Sequence, residues 1–321
     1  MNIASLPRAR SSADGARPQS EDDRLCVVVV TYNSGGVIAG LLDSLPDGLE
    51  GVAGYEVIVV DNDSQDGSAE IAANHPLRPR VIRSGANAGY AAGINIAATA
   101  ARDDAHLLIL NPDLRLLRGS VRPMLDALGR PGAGIALPRN FKEDGDLDPT
   151  IRREPSVLSA WSEALLGGTL AARLGVGEVV APGKRYERAG PVEWATASAL
   201  LVAARARHAV GPWDESFFLY SEEVDYQRRV RRAGMDIVYV PESEVMHIGG
   251  EYRVNSRLYA LLTSNRIRYF GRHHGTLATL CFRAGIAAGE ALRGWRGSVH
   301  RTALACAVRP LAPALSFRTD S

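Results

Sequence analysis

The chain has 321 residues, 46% of them apolar and 23% charged, with a formal net charge of +1. That balance excludes a disordered chain, a collagen-like or repeat composition and a disulfide scaffold, and it gives no global case for nucleic acid as a partner. The length suits one large α/β domain or two small ones with a substantial core.

Residues 1–23 are rich in Ser, Arg, Pro and Asp and hold no apolar segment. They are expected to form a disordered leader, not a signal peptide. The run 25–30 is apolar and β-branched, the pattern of a strand buried on both faces of a parallel sheet. A turn at 31–36 and a helix at 37–45 follow, then a loop at 46–54. Strands are expected at 55–60, 80–83 and 106–110, with helices at 68–74 and 90–101. This β-α-β-α-β-α-β rhythm is that of a doubly wound sheet. Beyond it, 144–155 reads as a mobile charged loop, 158–174 is apolar without a clear period, and 194–202 is strand-like. A helix is expected at 222–233, a strand at 236–240, and amphipathic helices at 256–272 and 276–295. The last of these is interrupted by Arg283, Glu290 and Arg293, so it is not a membrane span.

In doubly wound sheets, ligands bind beyond the carboxyl ends of the strands. Three of the expected strand ends carry polar clusters: Thr31-Tyr32-Asn33, Asp61-Asn62-Asp63-Ser64 and Asn111-Pro112-Asp113. Turns and helix caps want the same residue types, but three clusters on one edge point to a site. No Gly-x-Gly-x-x-Gly follows the first strand, and neither a P-loop nor a Gly-x-Ser-x-Gly elbow is present. Dehydrogenase, kinase and α/β-hydrolase chemistries are therefore disfavoured.

Val29-Val30-Thr31-Tyr32-Asn33, Val59-Val60-Asp61-Asn62-Asp63-Ser64, Asn87-x-Gly89-Tyr90-Ala91-Ala92-Gly93-x-Asn95 and Leu110-Asn111-Pro112-Asp113 recur in this order. They are followed by Gly211-x-Trp213-Asp214-Glu215-x-Phe217-Phe218-x-Tyr220-x-Glu222-Glu223-x-Asp225. Over about residues 25 to 275 this series resembles family 2 of the glycosyltransferases. Asn111-Pro112-Asp113 and the stretch Asn265-Arg266-x-Arg268-Tyr269-Phe270 resemble its rhamnosyltransferase-like branch.

The resemblance implies an α/β nucleotide-sugar-binding fold of the GT-A type, with a mostly parallel sheet flanked by helices. It also implies a divalent cation, Mg²⁺ or Mn²⁺, and inversion at the anomeric carbon. Residues 24–250 would form the catalytic domain, with 24–115 as the nucleotide-binding half and 116–250 as the acceptor half. Residues 251–321 would form a basic helical extension. Asp61 would meet the base or ribose, Thr31, Tyr32 and Asn33 would line the base, and Asn87, Gly89 and Asn95 would approach the diphosphate. Asp113 would bind the metal, with His247 as an imidazole ligand. Asn111 stands where the family often has Asp, which shifts carboxylate ligation to Asp113. Glu223, with Glu222 beside it, would be the general base that takes the acceptor hydroxyl proton. Asp225 is expected to pair with Arg228 and Arg229 on the surface. Trp213 and Asp214 would wall the acceptor site.

The implied partners are a dTDP- or UDP-sugar, plausibly carrying L-rhamnose, and a cell-envelope glycan or polyprenyl-linked saccharide acceptor. A sugar nucleotidyltransferase would want a Gly- and Arg-rich loop after the first strand, and none exists. A non-catalytic nucleotide-sugar-binding protein or scaffold is the other alternative. Residues 251–321 hold eleven Arg against Glu251, Glu290 and Asp320, a net of +8 that leaves −7 on the rest. That stretch fits the cytoplasmic membrane surface, a solvated face or a homodimer contact. Cys26, Cys281 and Cys306 lack metal-ligand spacing, so free thiols in a reducing cytoplasm are expected.

Overall fold

The computed structural model describes residues 24–196, 198–249 and 255–309. The expected leader, residues 1–23, lies outside the described residues. The chain runs through β1 (Leu25–Thr31), α1 (Ile38–Gly48), β2 (Tyr55–Asp61), α2 (Ser68–Ala73), β3 (Arg80–Arg83), α3 (Tyr90–Ala100) and β4 (His106–Leu110). It continues through β5 (Leu114–Leu116), α4 (Val121–Leu128), β6 (Ala133–Phe141), β7 (Leu147–Asp148), β8 (Ile151–Arg152), α5 (Val157–Leu166) and α6 (Gly168–Arg173). Then come β9 (Gly190–Val192), β10 (Trp194–Ala195), β11 (Ala199–Val202), α7 (Ala204–Val210), α8 (Glu222–Arg232) and β12 (Asp236–His247). Three helices follow: α9 (Ser256–His273), α10 (Thr276–Arg293) and α11 (Ser298–Val308).

The main sheet has the order β3-β2-β1-β4-β11-β6-β12-β5, with β7 added beside β6 and β9 beside β12. β1 to β4 are mutually parallel where they pair, and β11 enters antiparallel between β4 and β6. Every residue of β1 is buried, as a strand covered on both faces requires. α3 lies so close to β1 that a Cβ on Gly93 would stand 2.5 Å from Val30 Cγ1. The strand order reverses at β1 and β4, which makes their carboxyl ends the topological switch point.

Differences from the sequence-based expectation have local causes. α1 continues through Pro46, because Leu45 and Leu49 are buried and hold its last turn against the core. The stretch 144–155 contains β7, which turns back on β6 in a short hairpin, and β8, which pairs with the distant β10, so strand pairing orders a segment whose own sequence is turn-rich. The run 194–202 is split: β10 joins β8 in a two-stranded ribbon, and β11 joins the main sheet. β12 extends past Pro241 to His247 by way of a register shift between Val240 and Glu244. The apolar run 158–174 forms α5 and α6, separated by Gly167 at φ 79. α11 was not expected.

Candidate active site

Strand register builds the nucleotide end. Thr31 pairs with Asp61, and Val29 pairs with Leu110, so the three polar clusters emerge side by side. The loops after β1 and β2 are laced together: Asn33 N–H donates to Ser64 Oγ at 2.9 Å, and Gln65 N–H to Asn33 Oδ1 at 2.8 Å. Asn33 is thus occupied in holding the two loops, and its φ of 50 suits an Asn. Thr31 and Asp61 are 0% and 1% exposed, and Thr31 Oγ1, Asp61 Oδ1 and Asn62 Oδ1 have no hydrogen-bond partner. Buried oxygens without partners are costly unless a ligand satisfies them. Tyr32 is 38% exposed at the same edge.

The second cluster forms where β12 runs beside β5 and β6. His247 pairs with Leu114, the residue after Asp113, and Val245 lies opposite Asn140, which in turn pairs with Asp148. That register sets His247 between two carboxylates, with Nε2 3.3 Å from Asp113 Oδ1 and Nδ1 3.8 Å from Asp148 Oδ2. Asp113 Oδ2 also accepts from Gly249 N–H at 3.1 Å. Burial alone would lower the His247 pKa, but hydrogen bonds to Asp113 and Asp148 outweigh it and raise it to about 9. Burial pushes Asp113 up, yet His247 and the Gly249 N–H hold it below the usual carboxylate range. Asp148 was not anticipated, since only non-local strand pairing brings it here. Among the described residues no three His, Cys, Asp or Glu side chains are grouped to hold a metal ion by themselves. The Asp113–His247 pair does offer two converging donor atoms, which fits an ion completed by the oxygens of a bound diphosphate.

The acidic pair opens α8. Glu222 is 3% exposed with an unpartnered Oε2, and burial followed by the Glu223 charge pushes its pKa well above the usual value. Glu223 is half-buried. Burial raises its pKa too, offset in part by its own and the Ser221 N–H and by Arg152. Tyr90 links this pair to the strand ends. Its hydroxyl donates to Asn111 Oδ1 at 3.0 Å. Its ionisation is opposed first by burial and then by the charges of Glu222, Glu223 and Asp113. Tyr90 thus stands in a neighbourhood shared by the Asn111–Asp113 loop, through its hydroxyl, and by the loop that leads to the acidic pair, through its N–H on Phe218 O.

Gly89 fastens that neighbourhood. Its φ of 95 and ψ of 173 favour glycine, and Asn62 Nδ2 donates to its carbonyl at 2.9 Å. Asn87 Oδ1 accepts from its N–H at 3.1 Å, so the Asn87 side chain shapes the turn. The next residue, Tyr90, donates its N–H to Phe218 O at 2.6 Å, joining α3 to the loop before α8.

Other expected site residues are engaged inside the fold. Asn95 Oδ1 accepts from Trp213 N–H at 2.8 Å, and its Nδ2 donates to Trp213 O at 3.0 Å and Glu215 Oε1 at 2.8 Å. Trp213 is 5% exposed and stacks on Tyr226 with ring centroids 4.1 Å apart, so it is a core residue. Asp214 caps the turn Glu215–Phe217 through Ser216 N–H and pairs with Arg272. Asp225 pairs with Arg229 at 2.9 Å as its spacing predicts, but it is buried, and Arg228 turns to Glu154 instead. Glu154, which also meets Arg231 and the Tyr269 hydroxyl, carried no sequence signal. An open cavity of about 630 Å³ lined by Asp104, Ala204, Arg205, His208 and Ala209 lies at the opposite, amino end of β4 and contains none of these residues.

Polar strand ends at a switch point, with a carboxylate–imidazole pair and the acidic start of α8, mark the candidate site of a transferase of the GT-A fold. Residues 26–180 match the family described as glycosyl transferase family 2. The N-acetylglucosaminyl-diphospho-decaprenol L-rhamnosyltransferase of Mycobacterium tuberculosis is 35% identical over 243 residues, 70% of this chain and 76% of that protein. The low-salt glycan biosynthesis hexosyltransferase Agl10 of Haloferax volcanii is 27% identical over 228 residues, covering 70% and 67%. The mannosyltransferase PcManGT from Pyrobaculum calidifontis, solved with GDP-Man and Mn²⁺, shares the fold with a TM-score of 0.54 at 14% identity, over 88% of this chain and 83% of that one. The chain belongs to glycosyltransferase family 2, within its rhamnosyltransferase-like branch. The doubly wound reading and the expected transferase activity agree with these findings.

Proposed function

We propose that the chain transfers L-rhamnose from dTDP-L-rhamnose to a hydroxyl of a polyprenyl-linked saccharide, with inversion at the anomeric carbon. The observation that carries this reading is the carboxyl edge of the sheet, where the Thr31, Asp61 and Asn62 oxygens are buried without partners and Tyr90 ties Asn111, two residues before Asp113, to Phe218, four residues before Glu222. The transferred sugar and the acceptor class are suggested by the name of the M. tuberculosis relative, whose match covers most of both chains.

Thr31, Asp61 and Asn62 would satisfy their free oxygens on the nucleoside, beside exposed Tyr32. Glu223, half-buried with an unpartnered Oε2, would be the base, beside the more deeply buried Glu222. It takes the acceptor hydroxyl proton as that oxygen attacks the anomeric carbon, while the bond from that carbon to the diphosphate oxygen breaks on the opposite face. The two electrons of that bond leave with the diphosphate. Asp113 and His247 would hold a divalent cation, which supplies charge neutralisation to the departing diphosphate. Asn111, held by Tyr90, keeps the metal-side loop against α3.

The test is transfer by the purified chain from dTDP-L-rhamnose, with UDP-sugars in parallel and Mn²⁺ or Mg²⁺ present. Glu223→Gln should retain dTDP binding and lose transfer. Unchanged turnover in that variant refutes Glu223 as the base, and failure to bind dTDP, UDP or any of the sugars refutes the donor class.

The acceptor chemistry calls for a membrane surface, and one face of the molecule suits it. No helix of the described residues is long and apolar enough to cross a membrane. However, α5, α6 and α10 expose Leu158, Leu165, Leu170, Leu277 and Leu280, and Trp295 beyond α10 is 79% exposed. Residues 256–309 hold nine Arg and one acid, and that acid, Glu290, is buried against Tyr259 and His300; Arg266, Arg268 and Arg272 are turned to Glu178, Ser216 O and Asp214, so the basic surplus rests on the other six Arg. We assign this apolar, basic face to an anionic bilayer. The free thiols of Cys26, Cys281 and Cys306 accord with a reducing, cytoplasmic side. Sedimentation with phosphatidylglycerol vesicles but not phosphatidylcholine vesicles is expected, and Leu165→Glu with Leu280→Glu should abolish it. Sedimentation unaffected by those changes, or a dimer that buries this face in light scattering without lipid, overturns the assignment.

A further inference from the structure

The loop that delivers the acidic helix is held in a strained shape. Phe218, Tyr220 and Ser221 have φ of 64, 68 and 73, values that L side chains resist. Phe218, with ψ of −61, centres a tight turn closed by Leu219 N–H donating to Phe217 O at 2.8 Å. Such a conformation persists only where its surroundings impose it. Ser221 is the last residue before Glu222 and Glu223, so the shape of this loop sets where both carboxylates point.

On one side the loop rests on α3, where Phe218 O accepts from Tyr90 N–H. On the other side it rests on α9. Asn265, 1% exposed, donates from its single amide to Phe217 O at 2.6 Å, Leu219 O at 2.8 Å and Tyr220 O at 3.2 Å. Two N–H donors thus serve three carbonyls, a convergence that no side chain of the loop itself supplies. One turn further on, Arg268 Nη1 donates to Ser216 O at 2.6 Å. Two turns on, Arg272 reaches Asp214 and lies 4.5 Å over the Phe217 ring. The spacing 265, 268, 272 places all three on one face of α9.

We propose that Asn265 is a positioning residue for the transfer reaction. Through it, α9 makes the C-terminal helices part of the catalytic machinery: they hold the 217–221 loop in the conformation that aims Glu222 and Glu223. This inference rests on the reading of that acidic pair as the proton-accepting side of the site. Asn265 is buried with its amide spent on the loop carbonyls, and the candidate nucleotide subsite at Thr31 and Asp61 lies on other elements, so its loss acts on turnover and not on donor affinity.

The experiment uses the full-length chain with dTDP-L-rhamnose, dTDP binding by calorimetry and amide hydrogen exchange. Asn265→Ala is expected to keep dTDP affinity within about twofold, to lower kcat by about tenfold or more, and to speed exchange over residues 217–223. Adding Ser221→Gly to Asn265→Ala should recover part of kcat, because glycine takes φ 73 without resistance. A purely structural role would reduce kcat and the number of dTDP sites together and would show no recovery. If Asn265→Ala is insoluble, Arg268→Ala carries the same test with a smaller expected loss. A kcat within about twofold of the parent in either soluble variant overturns the proposal. Glu223→Gln in parallel separates the two ideas. An inactive Glu223→Gln beside an unchanged Asn265→Ala refutes the positioning alone, whereas Glu223→Gln and Glu222→Gln both unchanged refute the acidic-pair reading and the positioning with it.

Discussion

Replacing Gly89 by Ala should uncouple α3 from the acidic loop, and its cost can be worked from two separate sources. The first is conformational: φ 95 with ψ 173 is a region almost exclusive to glycine, and holding Ala there costs about 1–3 kcal/mol. The second is steric. A Cβ would lie 2.4 Å from Phe218 O and 2.8 Å from Phe218 Cα, and both are backbone atoms that cannot swing away. Overpacking of that kind adds about 1–3 kcal/mol. The sum, about 2–6 kcal/mol, is a large part of the roughly 5–15 kcal/mol that stabilises an ordinary domain. Gly85 is the matched control, with φ 77 and nothing within 4 Å of its ideal Cβ. Gly85→Ala should show the conformational part alone, about 1–2 kcal/mol. Urea unfolding at constant m measures both, and the transfer rate of Gly89→Ala should fall further than its stability predicts, because Phe218 precedes Glu222 by four residues. Equal destabilisation of the two variants would show that the Gly89–Phe218 contact constrains nothing.

Asn95→Ala leaves the Trp213 N–H and carbonyl without their partner, so it should destabilise by about 1–3 kcal/mol in urea while dTDP affinity stays unchanged. Weakened dTDP binding at unchanged stability would return Asn95 to the donor site. Arg266→Ala strands Glu178 and Glu163, which it meets at 2.7 and 3.4 Å, and should cost about 3–5 kcal/mol. Arg266→Met with Glu178→Leu should recover much of that loss, and a double variant as unstable as the single would argue against a stranded charge. For Glu222, burial and then Glu223 raise the folded-state pKa well above 4.5, so the folded chain holds this proton more tightly than the unfolded one. The associated stability is present below the unfolded value and is lost as pH rises through the raised value. Glu222→Gln should therefore gain in thermal midpoint relative to the parent as pH rises above the ordinary carboxylate range, and parallel pH profiles would contradict the buried-acid assignment.

The first half of the fold was legible because its signals are local. β1 to β4 are short apolar runs with polar ends, and each is decided by its own residues: β3 and β4 begin and end where the pattern puts them. The candidate site residues on or just past those ends, Thr31, Asp61 and Asp113, follow from the same pattern, since a parallel sheet aligns its carboxyl ends. Asp148 and Glu154 were invisible for the opposite reason. Both lie in a turn-rich segment ordered by a short hairpin onto β6 and by β10 and α8, the latter two tens of residues away, and His247 reaches Asp148 only through the pairing of β12 with β6. Trp213 shows the limit of motif reading: its neighbours suggest a ligand wall, yet only the position of Tyr226 on α8 decides that the indole faces the core.

The same contrast explains why the acidic pair needs so much support. A carboxylate on a strand end is aimed by the sheet, whose register is fixed by many backbone hydrogen bonds. Glu222 and Glu223 have no such frame. They begin a helix whose preceding residue is left-handed and carries no side-chain cap, so α8 cannot set their direction by itself. Direction has to come from outside, and three segments supply it: Gly89–Tyr90 at the start of α3, Asn111 through the Tyr90 hydroxyl, and Asn265 on α9. Each of these contacts joins residues more than 20 positions apart. Substitutions at the supporting positions should therefore reduce turnover before they unfold the sheet, whereas substitutions along β1 or β4 should do the reverse.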